Sequence, residues 1–111
     1  MVEQVPSEDR EQMLFVQWFK RTYPGVRIFH IPNGGNRGIR EASKFKALGV
    51  SAGVPDLFVP AWALWIEMKR QKGGTVSKDQ KEWHAYLLEI GHKVLIGKGF
   101  EDAVKKLHEL S

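Results

Sequence analysis

Apolar residues along this 111-residue chain recur with two different periods, and the alternation between them sketches a layered α/β domain. Leu14, Phe15, Trp18 and Phe19 fall at helical spacing and make a broad apolar stripe. Ser7 is placed to cap that helix, Glu8, Asp9 and Glu11 suit the positive end of its dipole, and Tyr23-Pro24-Gly25 ends it. Val26 to His30 is rich in strand formers and puts Val26, Ile28 and His30 on one face. Pro32-Asn33-Gly34-Gly35-Asn36 is turn chemistry, and a short helix is predicted from Ile39 to Leu48, stopped by Gly49. Two short strands follow, Asp56–Val59 and Leu64–Lys69, joined around Pro60-Ala61-Trp62. Ser77-Lys78-Asp79-Gln80 reads as a capping box opening a helix through Ile90, with Trp83, Leu87 and Ile90 facing inward and Gly91 closing it. Lys93–Gly97 reads as a strand, and Phe100, Ala103, Val104, Leu107 and Leu110 as a last amphipathic helix. The order is αβαββαβα, and the expected fold is α/β with a central mixed sheet flanked by helices.

Composition narrows the function classes. With 42% hydrophobic and 27% charged residues, and no repeat or linker-like tract, residues 1–111 read as one globular domain. The absence of cysteine excludes disulfides, thiolate zinc sites and a cysteine nucleophile. No apolar run is long enough to span a bilayer, and Met1 to Pro6 lacks both a basic region and an apolar signal core, so a cytoplasmic protein is expected. The net charge of +4 suggests a polyanionic partner.

The segment that carries chemistry is Pro55-Asp56 followed by Trp65-Ile66-Glu67-Met68-Lys69. Residues two apart on a strand share a face, so Glu67 and Lys69 point one way and Ile66 and Met68 the other. An antiparallel hairpin turning between Ala61 and Trp62 puts Asp56 opposite Glu67. Opposed residues project to one face with Cβ atoms roughly 5 Å apart, where two like charges repel. A divalent cation between them reverses that sign, and Lys69 stands one pleat further along beside the same site. Two hard carboxylate oxygens, with water and phosphate filling the remaining positions, describe a Mg²⁺ site better than a zinc site. Mn²⁺ is expected to substitute, and the Met68 backbone carbonyl is a candidate third ligand. A one-residue shift of register would carry Asp56 to the other face. The bland alternative is a solvent-facing hairpin with ordinary surface charges. Trp65 on the face of Glu67, and Leu57-Phe58-Val59 after Asp56, argue instead for a covered face.

Pro55-Asp56, ten intervening residues and Glu67-Met68-Lys69 resemble the PD-(D/E)xK nuclease signature. The surroundings add specificity. His30-Ile31-Pro32-Asn33-Gly34-Gly35-Asn36-Arg37, Gly49-Val50-Ser51-Ala52-Gly53-Val54-Pro55-Asp56-Leu57, Ile66-Glu67-Met68-Lys69, and Ser77 with Gln80 closely resemble the stand-alone VRR-NUC (virus-type replication-repair nuclease) domain. The likeness runs from about the first helix to the strand after Gly91. It implies metal-dependent hydrolysis of DNA phosphodiesters in a restriction-endonuclease-like fold shared with Holliday-junction resolvases. Small stand-alone members look like homodimers acting on branched DNA, which implies a role in DNA repair and a phage-encoded origin in a bacterial host. The same domain is fused to other modules in the Fanconi-associated nuclease, where the substrate differs. Two alternatives therefore stand: a junction-binding module without turnover, and an exonuclease or flap nuclease using the same residues.

Under that resemblance Asp56 and Glu67 bind Mg²⁺, and Lys69 orients or helps deprotonate the attacking water; a solvated lysine is its bland alternative. Gln80 has a structural competitor, because in Ser77-x-x-Gln80 its side chain can reach back to the N-cap amide. It also matches the Gln-x-x-x-Tyr motif of related RecB-like nucleases, here Gln80-x-x-x-His84. Glu11, on the stripe of Leu14, Phe15 and Trp18, is the expected first-helix acid near the metal, with Glu8 as its rival; both could merely complement the dipole. His30, Asn33, Arg37 and Arg40 are expected to contact DNA from a Gly-rich loop that brings amides and guanidinium groups onto phosphates. For His30 a hydrogen-bonded core histidine, and for Asn33 a turn former, are the alternatives. Lys44, Lys46, Arg70, Lys72, Lys78 and Lys81 read as solvated charges, some near the groove, and the remaining aromatics as core.

Overall fold

The computed structural model describes residues 4–32 and 39–110, with side chains from Ser43 onward in the second stretch. Helix α1 spans Glu8–Thr22 and is capped by Ser7, whose Oγ accepts from the Arg10 amide at 3.1 Å. Strand β1 (Phe29–His30), helix α2 (Ile39–Ala47), strand β2 (Leu57–Val59), a one-turn 3-10 helix (Pro60–Trp62) and strand β3 (Leu64–Lys69) follow. Helix α3 (Lys78–Glu89), strand β4 (Lys93–Lys98) and helix α4 (Phe100–Leu110) complete the expected αβαββαβα order.

The sheet runs β1-β2-β3-β4, antiparallel across the first two pairings and parallel between β3 and β4. Leu57 pairs with Ile66, Phe58 with Trp65 and Val59 with Leu64, which is the hairpin register expected from the alternation of side chains. Ala63, in the left-handed region at φ 47°, closes the 3-10 turn by donating its N–H to the Pro60 carbonyl at 3.1 Å.

One sheet face carries Leu57, Val59, Leu64, Ile66 and Met68, all buried against Phe15 and Phe19 of α1 and Ala103 and Leu107 of α4. The other face is covered over β3 and β4 by α3, which turns Leu87 and His84 inward. With both faces covered, five of the six β3 residues are buried, polar ones included. Gly53 fits this arrangement because it has φ +90°, and a Cβ there would meet the Asp79 backbone at 2.5 Å; the loop before β2 thus lies directly on the first turn of α3.

Three details depart from the sequence pattern. Strand β1 is shorter than Val26–His30, because only Phe29 and His30 find partners on the three-residue β2. Ile28 is nonetheless buried. Ile90 does not face inward: it is the C-cap of α3 and is 49% exposed, so the inward face ends at Leu87. Phe29 is half exposed at the sheet edge rather than in the core. Among the described residues no helix is long and apolar enough to cross a membrane.

Phe15 has no exposed surface, whereas Met13 on the same helix is 51% exposed. Denaturant unfolding should show Phe15→Ala losing about 3–5 kcal/mol, and Met13→Ala changing stability by no more than about 0.5 kcal/mol.

Candidate active site

The site lies where β2 begins and β3 ends. Extending the β2–β3 register one step past Leu57 and Ile66 brings Asp56 opposite Glu67. Asp56 leaves the ladder there: its Oδ2 accepts the Met68 amide at 2.7 Å, in place of a strand partner. Its backbone carbonyl turns toward β1 and accepts from the Ile31 amide and from His30 Nδ1, both at 2.8 Å. A carbonyl can only accept, so the His30 hydrogen sits on Nδ1; the Gln12 amide group lies 3.0 Å from the same nitrogen. Asp56 is thus fixed by its main chain and by its side chain.

Glu67 is fully buried, and α3 supplies a donor to each of its oxygens. Gln80 Nε2 lies 3.3 Å from Oε2, and His84 Nε2 lies 3.2 Å from Oε1. Gln80 also completes the capping box, its Oε1 accepting the Ser77 amide at 2.8 Å while Ser77 Oγ accepts the Gln80 amide at 3.2 Å. The cap and the site contact are therefore not rivals, because a glutamine side chain has an accepting end and a donating end.

Burial pushes the Glu67 carboxyl up to about 9; a hydrogen bond with the Asp56 side chain and the Asp56 charge add to this, Lys69 opposes it, and Glu8 reinforces it. The Asp56 carboxylate opposite it thus favours the protonated form of Glu67. Lys69 is buried to 6% exposure and its charge reaches Glu8, Glu67 and His84. Burial, then the Lys69 charge, pushes the His84 imidazole down, so its contact with Glu67 is a hydrogen bond of a neutral ring rather than an ion pair. With the Glu67 proton directed at Asp56, the imidazole is assigned as the donor through Nε2–H.

On α1 the structure brings Glu8 within electrostatic reach of Lys69 and Asp56, and buries Glu11 beside Gly99. Glu8 is raised by its own burial, drawn down by Lys69 and Arg70, and pushed up by Asp56 and Asp9. Glu11 is buried as its stripe predicts, but its Oε2 has no hydrogen-bond partner, and a Cβ at Gly99 would fall on that oxygen. Helix α1 packs on the Ile66–Met68 face, and Gly99, whose amide donates to the Lys69 carbonyl at 2.9 Å, puts Glu11 near the Lys69 end as well. Met68 gives its N–H to Asp56 and its side chain to the core. Asn33 and Arg37 lie outside the described residues. Arg40 is in α2, with its side chain likewise outside the description. Lys44, Lys46, Arg70, Lys72, Lys78 and Lys81 are all exposed. His84 was visible in the sequence only as the fourth position of Gln80-x-x-x-His84, one turn from Gln80 on the same helix face.

A mixed four-stranded sheet flanked by helices, with an aspartate, a glutamate and a lysine gathered at the β2–β3 hairpin, defines a nuclease domain of the PD-(D/E)xK type. A solved structure described as "VRR_NUC domain protein" superposes on this chain with a TM-score of 0.80 and 29% identity, covering 96% of this chain and 89% of that one. That likeness, over nearly the whole chain, supports a VRR-NUC domain. No family model matches the sequence, and no curated protein does.

Because the Glu67 pKa is raised above its ordinary 4.5 on folding, the folded state holds that proton more tightly, and the resulting stability is lost as pH climbs from about 4.5 through about 9. In EDTA, wild-type stability should fall across that window relative to Glu67→Gln, by on the order of a few kcal/mol. Calorimetric melts of the two proteins at stepped pH measure the difference. Parallel curves would mean that Glu67 ionises freely.

Proposed function

We propose that the chain is a Mg²⁺-dependent, structure-specific DNA endonuclease that hydrolyses phosphodiesters in branched DNA such as Holliday junctions, acting as a homodimer. One observation carries the reading: a fully buried Glu67 lies opposite Asp56, whose carboxylate is held by the Met68 amide, with Lys69 buried on the same strand. Two carboxylates placed so that both cannot ionise alone are a donor set that fits a hard divalent cation. Among the described residues no group of three or more His, Asp or Glu side chains is arranged as a metal cluster. The protein ligands in this reading are accordingly Asp56, Glu67 and the Met68 backbone carbonyl, with water and phosphate oxygens for the rest. Bound there, Mg²⁺ (or Mn²⁺) lowers the pKa of a water and neutralises charge on the scissile phosphate.

The side chains divide the remaining work. Lys69 holds the attacking water and offsets the negative charge that develops on the phosphate. Water attacks phosphorus in line with the 3′ oxygen, whose bond to phosphorus breaks to leave a 5′ phosphate. Gln80 keeps Glu67 oriented, and Glu8 is a further carboxylate at the same end of the sheet. His30 holds the Asp56 backbone and presents its ring at an exposed edge, where with Asn33, Arg37 and Arg40 it would meet DNA. The exposed Lys44, Lys46, Arg70, Lys72, Lys78 and Lys81 would neutralise further phosphates and make binding fall with salt. The preference for branched DNA and the homodimer rest on the likeness to small stand-alone VRR-NUC domains.

Labelled four-way junctions, flaps, duplexes and single strands incubated with Mg²⁺ or EDTA test this. Junction cleavage should need the metal, vanish in Asp56→Ala, and fall about 10²–10⁴-fold in Lys69→Ala. Binding without cleavage under every divalent metal would establish a junction-binding module instead, and cutting confined to ends or flaps an exonuclease or flap nuclease. Light scattering at micromolar concentration should give the dimer mass. Glu8→Gln should slow cleavage more than Glu11→Gln; the reverse order would make Glu11 the first-helix acid of the site.

A further inference from the structure

Gln80 and His84 are separated by one turn of α3, and they meet different oxygens of the same carboxylate. We infer that His84 is a positioning residue for Glu67: together with Gln80 it brackets the carboxylate at two points and so fixes the plane in which that group is offered to a divalent cation. This inference rests on the metal-nuclease reading above.

A glutamate carboxylate turns about its terminal bond over a broad range, so a single donor at one oxygen leaves its plane free. Gln80 alone is such a donor, at 3.3 Å from Oε2. The second point is His84 Nε2, at 3.2 Å from Oε1, on a ring that is itself 7% exposed. Both points are tied to one rigid element. The Gln80 side chain is anchored by the Ser77 amide at 2.8 Å, and His84 is held one turn on, on the buried face it shares with Leu87. The bracket occupies the α3 side of Glu67 and leaves the side toward Asp56 for the cation. A residue that orients a ligand without touching the ion typically changes metal affinity 10–100-fold when it is replaced.

The chemistry needed at position 84 is an N–H donor at the reach of imidazole Nε2. Glutamine carries its amide nitrogen at a similar distance from the main chain, whereas leucine and phenylalanine carry none. The test is Mn²⁺ binding measured by calorimetry on the intact chain without DNA, with melting in EDTA to verify folding. Wild type should bind, and Asp56→Ala should not. His84→Leu and His84→Phe should bind about 10–100-fold more weakly, with His84→Gln recovering to within about threefold of wild type. Two donor-free variants are included so that a folding failure in one leaves the other to decide. In junction cleavage the same loss should appear as a higher half-saturating Mn²⁺ concentration, with the rate at saturating metal largely kept. Wild-type affinity in either folded donor-free variant, while Asp56→Ala abolishes binding, overturns the inference and leaves the metal reading standing. No Mn²⁺ uptake by wild type overturns the metal reading and this inference with it.

Discussion

Sliding β3 by one residue along β2 would turn Leu64, Ile66 and Met68 out of the core and put Glu67 and Lys69 into it, and that penalty holds the acidic pair together. The apolar side chains on the Phe15–Phe19 face and the polar ones on the α3 face belong to the same six-residue strand. Packing on one face therefore fixes chemistry on the other. The Asp56 position follows from the same pairing, because it is the first residue beyond the ladder and its carboxylate takes the Met68 amide that a longer β2 would have used. A strand that stops one residue early gives the site both a free carboxylate and a backbone donor to hold it.

Strand polarity explains why these groups gather at one end of the sheet. Strands β3 and β4 are parallel, so both finish at the same edge. The connection after each must return along a helix, and so α3 and α4 begin near that edge. Gln80 in the first turn of α3 reaches Glu67, and the Gly99 amide before α4 donates to the Lys69 carbonyl at 2.9 Å. The first turn of α1 arrives there too, since Glu8 feels the charges of Lys69 and Asp56. Three helix N-termini with their partial positive charge thus border a cluster of acids, a field that also favours an incoming phosphate.

What could be read from residues alone follows from which patterns are two-dimensional. Period-two alternation puts Glu67 and Lys69 on one face, but the pairing of Asp56 with Glu67 follows only when the connection is taken to centre on Ala61 and Trp62, the register the strands adopt. The Ser77–Gln80 capping box was likewise legible, because its geometry is local. Helical periodicity predicts the buried face of Glu11, whereas the reach of Glu8 to Lys69 and Asp56 depends on how α1 lies across the sheet, which no local pattern encodes. The role of His84 was hidden for a related reason: a histidine one turn after Gln80 is ordinary helix composition until Glu67 is known to lie beneath both. Ile90 misled because the pattern continues one residue past the point where the chain leaves the helix. The short β1 was set by its partner, a property of β2 and not of Val26–His30.

The electrostatics of the site run against folding and toward ligand capture. Burying Glu67 beside Asp56 raises the cost of ionising it, and Lys69, itself almost fully buried, only partly offsets the acids. An apolar residue at 67 would remove that cost but leave the two α3 donors facing a partner that accepts nothing, so Glu67 and its α3 donors form one unit. Under the proposed metal reading, the main chain, cap and flanking donors are already in place, so that a divalent cation entering the pocket would displace a proton rather than reorganise the protein.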